Sequence, residues 1–167
     1  MKRTQAAGFV AAIALVLFGW VSSPLAHCEI PCGIYHDDVR VYLIKEHVQT
    51  IEKSMKQINE LSKATPVDYN QLIRWTTNKE EHANKIQEIV TQYFMTQRLK
   101  PSEGADAATR DAYLTKLTLL HKMLVEAMKT KQTTDLKHVE NLKQLTKEFN
   151  EAYFGKEDLD HMREHHE

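Results

Sequence analysis

Apolar residues recur at alternating intervals of four and three along residues 37–62. The positions are Ile44, Val48, Ile51, Met55 and Ile58. This spacing places the five side chains on one stripe of an α-helix and leaves the opposite face polar. Such a helix buries its stripe against the stripes of neighbouring helices, so the segment predicts one member of a helical bundle.

A second helix is predicted from about Thr65 to about Arg98. Thr65 and Pro66 have the residue types of an N-cap and a first-turn proline, and Asp68 follows in the first turn, where a carboxylate is favourable. Its expected buried residues are Leu72, Trp75, Ile86, Ile89, Val90, Tyr93 and Phe94. A run containing proline and glycine at residues 100–104 ends the pattern.

Two more helices are predicted in the rest of the chain. The third is expected to bury the residues of a stripe spaced 3-4-3-4, namely Leu114, Leu117, His121, Leu124 and Met128. Thr133, Thr134 and Asp135 are cap residues for the fourth, and Gly155 is a stop signal. The expected buried residues of the fourth are Leu136, Val139, Leu142, Leu145, Phe149 and Tyr153.

The predicted fold class is all-α, an up-down four-helix bundle over residues 36–156 with a metal-binding hook before it. Only five glycines and four prolines interrupt a chain of 167 residues that is rich in helix-forming residues. Residues 157–167 are expected to form a polar, His-rich tail containing His161, His165 and His166. This tail either binds metal or is a solvated helix end.

The first 26 residues have the order of a secretory signal. Lys2 and Arg3 precede an apolar run at residues 6–21, and small residues lead to Ala26. The run is short for a membrane span, so we expect cleavage after Ala26 and a periplasmic or extracellular protein without a membrane anchor. The alternatives are an uncleaved membrane anchor and a lipoprotein signal acylated at Cys28, which His27 disfavours because a small residue should precede that cysteine. The formal net charge of −1 gives no reason to expect a nucleic-acid partner.

Both cysteines of the chain, Cys28 and Cys32, lie within the first six residues of this mature protein. In an exported protein such a pair forms either a disulfide or a metal site, and the spacing alone favours neither. Cleavage would give His27 a free amine, which can chelate a metal together with the backbone nitrogen and thiolate of Cys28. With the Cys32 thiolate the set is planar N₂S₂, which suits Ni(II) or Cu(II) better than zinc. The His27 imidazole remains available as an axial ligand.

The sequence of residues 27–35, His-Cys-Glu-Ile-Pro-Cys-Gly-Ile-Tyr, resembles the nickel-binding hook of nickel-containing superoxide dismutases. Similarity extends into the helices, notably over residues 50–53 and 74–82 and at Tyr93 and Phe94, so it covers most of the mature chain. The resemblance implies disproportionation of superoxide by a Ni(II)/Ni(III) cycle, in a four-helix bundle that assembles as a homohexamer. The implied cofactor is one nickel ion per subunit, and the implied small-molecule substrate is superoxide.

The resemblance also assigns roles to individual residues. His27 supplies the amine and the axial imidazole, Cys28 a backbone nitrogen and a thiolate, and Cys32 the second thiolate. Pro31 is expected in the cis form. Tyr35 and Tyr93 are expected at the entrance over the metal, where they order water and anion without binding nickel; with the three ligands they form the predicted catalytic set.

This chain departs from one branch of the family in the residues that orient the axial imidazole. Where that branch has a glutamate and an arginine, this sequence has Leu43 or Ile44 and His82. The possible substitutes are Glu46, Arg40 and Arg74.

Two other functions remain open on the residues alone. One is an exported metal-binding or stress-sensing bundle without turnover, which uses the cysteines and the His-rich tail. The other is a bundle tipped by a disulfide, with an unknown partner.

Overall fold

The structure is a computed structural model that describes residues 35–101, 104 and 106–164, with side chains as far as Gly155. Four helices and no strand occur in this part of the chain. They are α1 (Asp37–Leu61), α2 (Tyr69–Glu88, continued by a π-helical segment at Ile89–Arg98), α3 (Ala107–Gln132) and α4 (Lys137–Glu164). The all-α prediction is confirmed.

Each helix packs against the next, and α4 closes the bundle by packing against α1. Short connections between consecutive helices require neighbours to run antiparallel, which is the up-down arrangement. None of the described helices is long and apolar enough to span a membrane.

The predicted stripe of α1 forms the centre of the core. Ile44, Val48, Ile51 and Met55 are each no more than 1% exposed, and Val41 extends the stripe by one turn. Burying a large aliphatic side chain stabilises a fold by roughly 1.5–3 kcal/mol, so this stripe alone anchors α1 in the bundle.

The start of α2 differs from the prediction. Asp68, not Thr65, is the N-cap: its side chain accepts a hydrogen bond from the backbone N–H of Gln71 at 3.1 Å. Pro66 follows a cis peptide bond in the preceding loop. An N-cap needs a side-chain oxygen that reaches the free N–H groups of the first turn, and Asp68 provides it.

The stripe predicted for α3 is only partly correct: Leu117 and Leu124 pack against the core, but the other three predicted residues do not. His121 is exposed, Leu114 is 46% exposed and Met128 is 42% exposed. The buried residues are instead Leu119, Leu120, Met123, Glu126, Ala127 and Thr130. Leu120, Met123 and Ala127 each precede a predicted position by one residue, a rotation of about 100° around the helix axis. Because apolar residues occur on nearly every face of α3, more than one stripe fits its sequence.

The capping prediction for the start of α4 is confirmed, whereas Gly155 interrupts the helix without ending it. The Asp135 carboxylate accepts from the backbone N–H of Lys137 at 3.0 Å. At the other end, Gly155 has a φ of +78° and interrupts the helix. Glycine adopts this backbone conformation without the steric cost that a side chain brings. The backbone is helical again from there to Glu164, within the predicted polar tail.

A buried lysine closes the C-terminal end of α3, which the hydrophobic pattern does not predict. Lys79 of α2 is 3% exposed, and its Nζ donates to the carbonyl oxygens of Thr130 and Lys131, both at 2.7 Å. The last carbonyls of a helix lack intrahelical partners and carry partial negative charge. The ammonium group therefore satisfies them and joins α2 to α3.

Replacing Leu120 by Ala tests the orientation of α3. Leu120 is fully buried, so Leu120→Ala is expected to lower the free energy of unfolding by about 2–5 kcal/mol. Leu114→Ala is the matched control and should change it by less than about 0.5 kcal/mol. The measurement is chemical denaturation followed by circular dichroism. A larger loss for Leu114→Ala would restore the orientation predicted from sequence.

Candidate metal centre

The three predicted metal ligands, His27, Cys28 and Cys32, lie outside the described residues. Tyr35 ends the predicted hook, and α1 begins two residues later at Asp37. The described part of the site is therefore the set of side chains around the junction between the hook and α1.

The two tyrosines predicted from the resemblance lie next to each other. The ring centroids of Tyr35 and Tyr93 are 6.0 Å apart, with an interplanar angle of 66°. This edge-to-face arrangement is a favourable geometry for an aromatic pair. Tyr93 is only 4% exposed, whereas Tyr35 is half-buried. The fold thus brings residue 35 of the hook onto the second helix.

A single carboxylate organises this junction. Asp37 Oδ1 accepts from the hydroxyl of Tyr93 at 2.5 Å, and Oδ2 accepts from the hydroxyl of Tyr153 at 2.7 Å. Arg98 donates through Nε to both oxygens, at 2.9 and 3.0 Å, and through a terminal nitrogen to Oδ2 at 2.7 Å. Hydrogen bonds to a charged group are stronger than those between neutral groups, so this network is a firm anchor for the start of α1.

The network fixes the protonation states of its members. Burial alone would raise the pKa of Asp37, but the hydrogen bonds from Arg98, Tyr93 and Tyr153 outweigh burial and hold the pKa below its usual 3.8. Burial and the bond to Asp37 raise the pKa of Tyr93, and they raise that of Tyr153 to about 12. At pH 7 the carboxylate is therefore charged and both phenols are neutral.

The π-helical segment explains how Tyr93 and Arg98 reach the same carboxylate. In an α-helix, residues five apart point about 140° away from each other. In a π-helix, which is wound more widely and has i→i+5 hydrogen bonds, such residues lie much closer to the same face. The bond from the Leu99 N–H to the Phe94 carbonyl, at 2.8 Å, has this spacing. Tyr93 and Arg98 therefore share the face that meets Asp37.

Two guanidinium groups stack on the tyrosines. Arg98 lies over the ring of Tyr35, with its central carbon 4.2 Å from the centroid, and Arg40 lies over the ring of Tyr93 at 5.0 Å. Of the substitutes named for orienting the axial imidazole, Arg40 is thus part of this junction. Glu46 and Arg74 are exposed on their helices.

The structure also describes the residues at the positions where this chain differs from that branch of the family. Ile44 is fully buried and belongs to the core, and Leu43 is half-buried. His82 lies opposite His47 of α1, with their Nδ1 atoms 3.1 Å apart.

Sequence reasoning did not find Asp37, Arg98 or Tyr153 as members of this site. Tyr153 was predicted as a buried residue of α4, which its contacts with Phe94 and Phe149 confirm. The sequence signal for Asp37 was weak, since an acidic residue in a first turn is common at any helix start. The five-residue spacing of Tyr93 and Arg98 gives no signal under a period of 3.6 residues.

Among the described side chains, no group of three or more His, Cys, Asp or Glu residues could hold a metal ion. Cys28 and Cys32 are the only two cysteines of the full sequence, so thiolate ligands can come from the hook alone. Soft thiolates combined with nitrogen donors fit nickel by their chemistry.

Asp37→Asn tests whether the carboxylate charge holds the junction. The variant keeps the shape of the side chain, and we expect it to lower the free energy of unfolding at pH 7 by about 1–3 kcal/mol. Because the pKa of Asp37 is lowered in the folded state, its contribution is fully present above its unfolded pKa, near 4, and is lost as the pH falls through the folded value.

The difference between the original protein and Asp37→Asn should therefore shrink when denaturation is repeated near pH 3. Asp111→Asn, at an exposed position of α3, is the control and should show little effect at either pH. A loss of equal size at both pH values would contradict a role for the charge.

Comparison with known protein families gives one match. The family model of nickel-containing superoxide dismutase matches residues 22–157, which include the predicted hook and the bundle as far as the break in α4. No curated protein and no solved structure matches the chain. With the match covering most of its length, the chain belongs to the nickel-containing superoxide dismutases, oxidoreductases that act on superoxide with nickel as cofactor.

Proposed function

We propose that the mature protein converts two superoxide ions and two protons to one dioxygen and one hydrogen peroxide through a Ni(II)/Ni(III) couple. The observation that carries this proposal is the family match, which includes residues 27–35. The contact of Tyr35 with Tyr93 supports it, because the resemblance assigns both tyrosines to the entrance.

The residues proposed to hold nickel are His27, Cys28 and Cys32. His27 would contribute its amine and imidazole, Cys28 its backbone nitrogen and thiolate, and Cys32 its thiolate. When bound, nickel would supply the one-electron couple that alternately oxidises and reduces superoxide. Two thiolates and an ionised backbone nitrogen donate electron density strongly, which favours access to the higher oxidation state.

Tyr93 is proposed to orient water and anion at the entrance without giving up its proton. Its hydroxyl donates to Asp37, and its raised pKa keeps it neutral at physiological pH. The hydroxyl hydrogen of Tyr93 is therefore used in the bond to Asp37, and the hydroxyl oxygen can accept a hydrogen bond from an ordered water. Tyr35, packed edge-to-face on this ring, narrows the space beside it.

Arg40 and Arg98 are proposed to draw the anionic substrate to this entrance. Both guanidinium groups lie on the tyrosine rings, although Arg98 also pairs with Asp37. The field of a cation beside an entrance raises the association rate of an anion, and salt screens the effect. Because Asp37 offsets the charge of Arg98, Arg40 is the stronger candidate for steering.

Export and assembly complete the proposal. Cleavage after Ala26 would both release the protein outside the cytoplasm and create the free amine of His27. The homohexamer of the family resemblance is proposed for this chain as well. Large apolar residues remain exposed on α1 and α2 and could serve contacts between subunits, namely Val39, Tyr42, Tyr69 and Ile73.

Adding one alanine before His27 tests the ligand set. The extra residue converts the amine nitrogen of His27 into a peptide nitrogen and places the free amine one residue earlier. Nickel content and superoxide-removing activity should therefore both fall to near background. N-terminal sequencing establishes which residue is first in each preparation. Full activity with the extra residue in place would rule out the proposed amine ligand.

Arg40→Glu tests electrostatic steering. We expect kcat/KM for superoxide to fall several-fold at low ionic strength, and the deficit to narrow near 1 M salt, where the Debye length is about 3 Å. Arg74→Glu makes the same change in net charge on α2, roughly 28 Å before Tyr93 along the helix at 1.5 Å per residue. It should have a much smaller effect. Equal effects of the two variants would mean that only net charge matters.

A further inference from the structure

His47 of α1 and His82 of α2 form a close pair between the two helices. Their Nδ1 atoms are 3.1 Å apart, the ring centroids are 4.9 Å apart and the ring planes meet at 76°. Both side chains are half-buried. The pair lies ten residues after Asp37, which is roughly 15 Å along α1.

The surroundings of the pair favour two neutral imidazoles. Burial lowers the pKa of both residues, and the nearby Lys85 lowers both further. Glu46 on α1 and Glu81 on α2 act in the opposite direction, and Glu81 forms an ion pair with Lys85 at 2.6 Å. Neutral imidazole is the form of histidine that binds metal.

The distance between the two nitrogens suits a shared metal ion. With metal–nitrogen bonds of about 2.0–2.1 Å, a separation of 3.1 Å corresponds to an angle at the metal of roughly 95–102°. This value lies between the about 90° of square-planar or octahedral sites and the about 109° of tetrahedral ones. To bind the ion, each ring would have to turn so that its Nδ1 lone pair points away from the other nitrogen and toward a common point.

We propose that His47 and His82 form a binding site for a divalent transition-metal ion. No third His, Cys, Asp or Glu among the described side chains completes the site, so water fills the remaining positions. Imidazole ligands suit copper, nickel and zinc, and affinity should be greatest for Cu(II). Because two helices supply the ligands, a bound ion also cross-links α1 to α2.

The alternative for this pair is purely structural. One Nδ1–H can donate to the other Nδ1, and such a bond contributes about 0.5–1.5 kcal/mol without any metal. The two possibilities differ in whether added metal binds at this position.

Zinc titration of a protein without the hook thiolates distinguishes a metal site from a purely structural histidine pair. The full mature chain carrying Cys28→Ser and Cys32→Ser is titrated with zinc chloride by calorimetry at pH 7.5, and its Tm is recorded with and without zinc. We expect His47→Ala and His82→Ala, each in this background, to bind one zinc ion fewer and to lose the zinc-dependent rise in Tm. Helix content by circular dichroism verifies that each variant is folded.

Two controls sharpen the result. His121→Ala removes an exposed histidine of α3 and should leave zinc binding unchanged. His82→Gln can still hydrogen-bond to His47 but is a poor metal ligand, so it should lose the zinc ion while keeping more of the metal-free stability than His82→Ala. Unchanged zinc binding after His47→Ala and His82→Ala would overturn the proposal, as would an equal loss after His121→Ala.

The outcome is independent of the proposed catalysis. The hook thiolates are absent from every protein compared, and superoxide removal is not the readout. Other zinc ligands, such as the His27 amine and the tail histidines, are the same in all variants.

Discussion

The carboxylate of Asp37 is the point at which the parts of this site are joined. It lies in the first turn of α1 and accepts hydrogen bonds from Tyr93 and Arg98 of the π-helical segment and from Tyr153 of α4. Three of the four helices thus meet at one charged group. The predicted hook ends two residues before it, at Tyr35. Any displacement of Asp37 would therefore move the chain that leads to the ligands and the tyrosine over which the substrate is expected to pass.

The π-helical segment is what makes this junction possible. Ten residues in this conformation are unusual, because π-helix normally appears as single-turn bulges. An α-helical Ile89–Arg98 would direct Tyr93 and Arg98 to different faces, and either the hydrogen bond from Tyr93 or those from Arg98 to Asp37 would be lost. The segment also buries the amide of Gln97, whose Oε1 has no hydrogen-bond partner among the described residues. This local cost is consistent with the association of π-helix with functional sites.

The accuracy of the sequence predictions follows from how the apolar residues are distributed. Ile44 and Val48 of α1 lie on a single stripe between polar faces, so their burial was predictable, and the same holds for Val139 and Phe149 of α4. In α3 the apolar residues surround the helix, and packing selected Leu120 over a predicted stripe one residue away. Tyr35 and Tyr93 could be paired only through the resemblance, because 58 residues separate them in the sequence. Interactions such as that of Lys79 with the end of α3 depend on three-dimensional contacts that no local pattern contains.

In the proposed site, the hook supplies the metal ligands and the bundle supplies the residues around the entrance. The proposed ligands lie in six consecutive residues and need a free terminal amine, so their chemistry depends on one cleavage. The bundle supplies what those residues lack: charged Asp37, neutral Tyr93, and cations held on aromatic rings. Among the described residues, the hydrogen-bond partners of Asp37 are Tyr93, Arg98 and Tyr153, and all three belong to the bundle. In the proposed function, cleavage before His27 would supply the free amine that the ligand set requires.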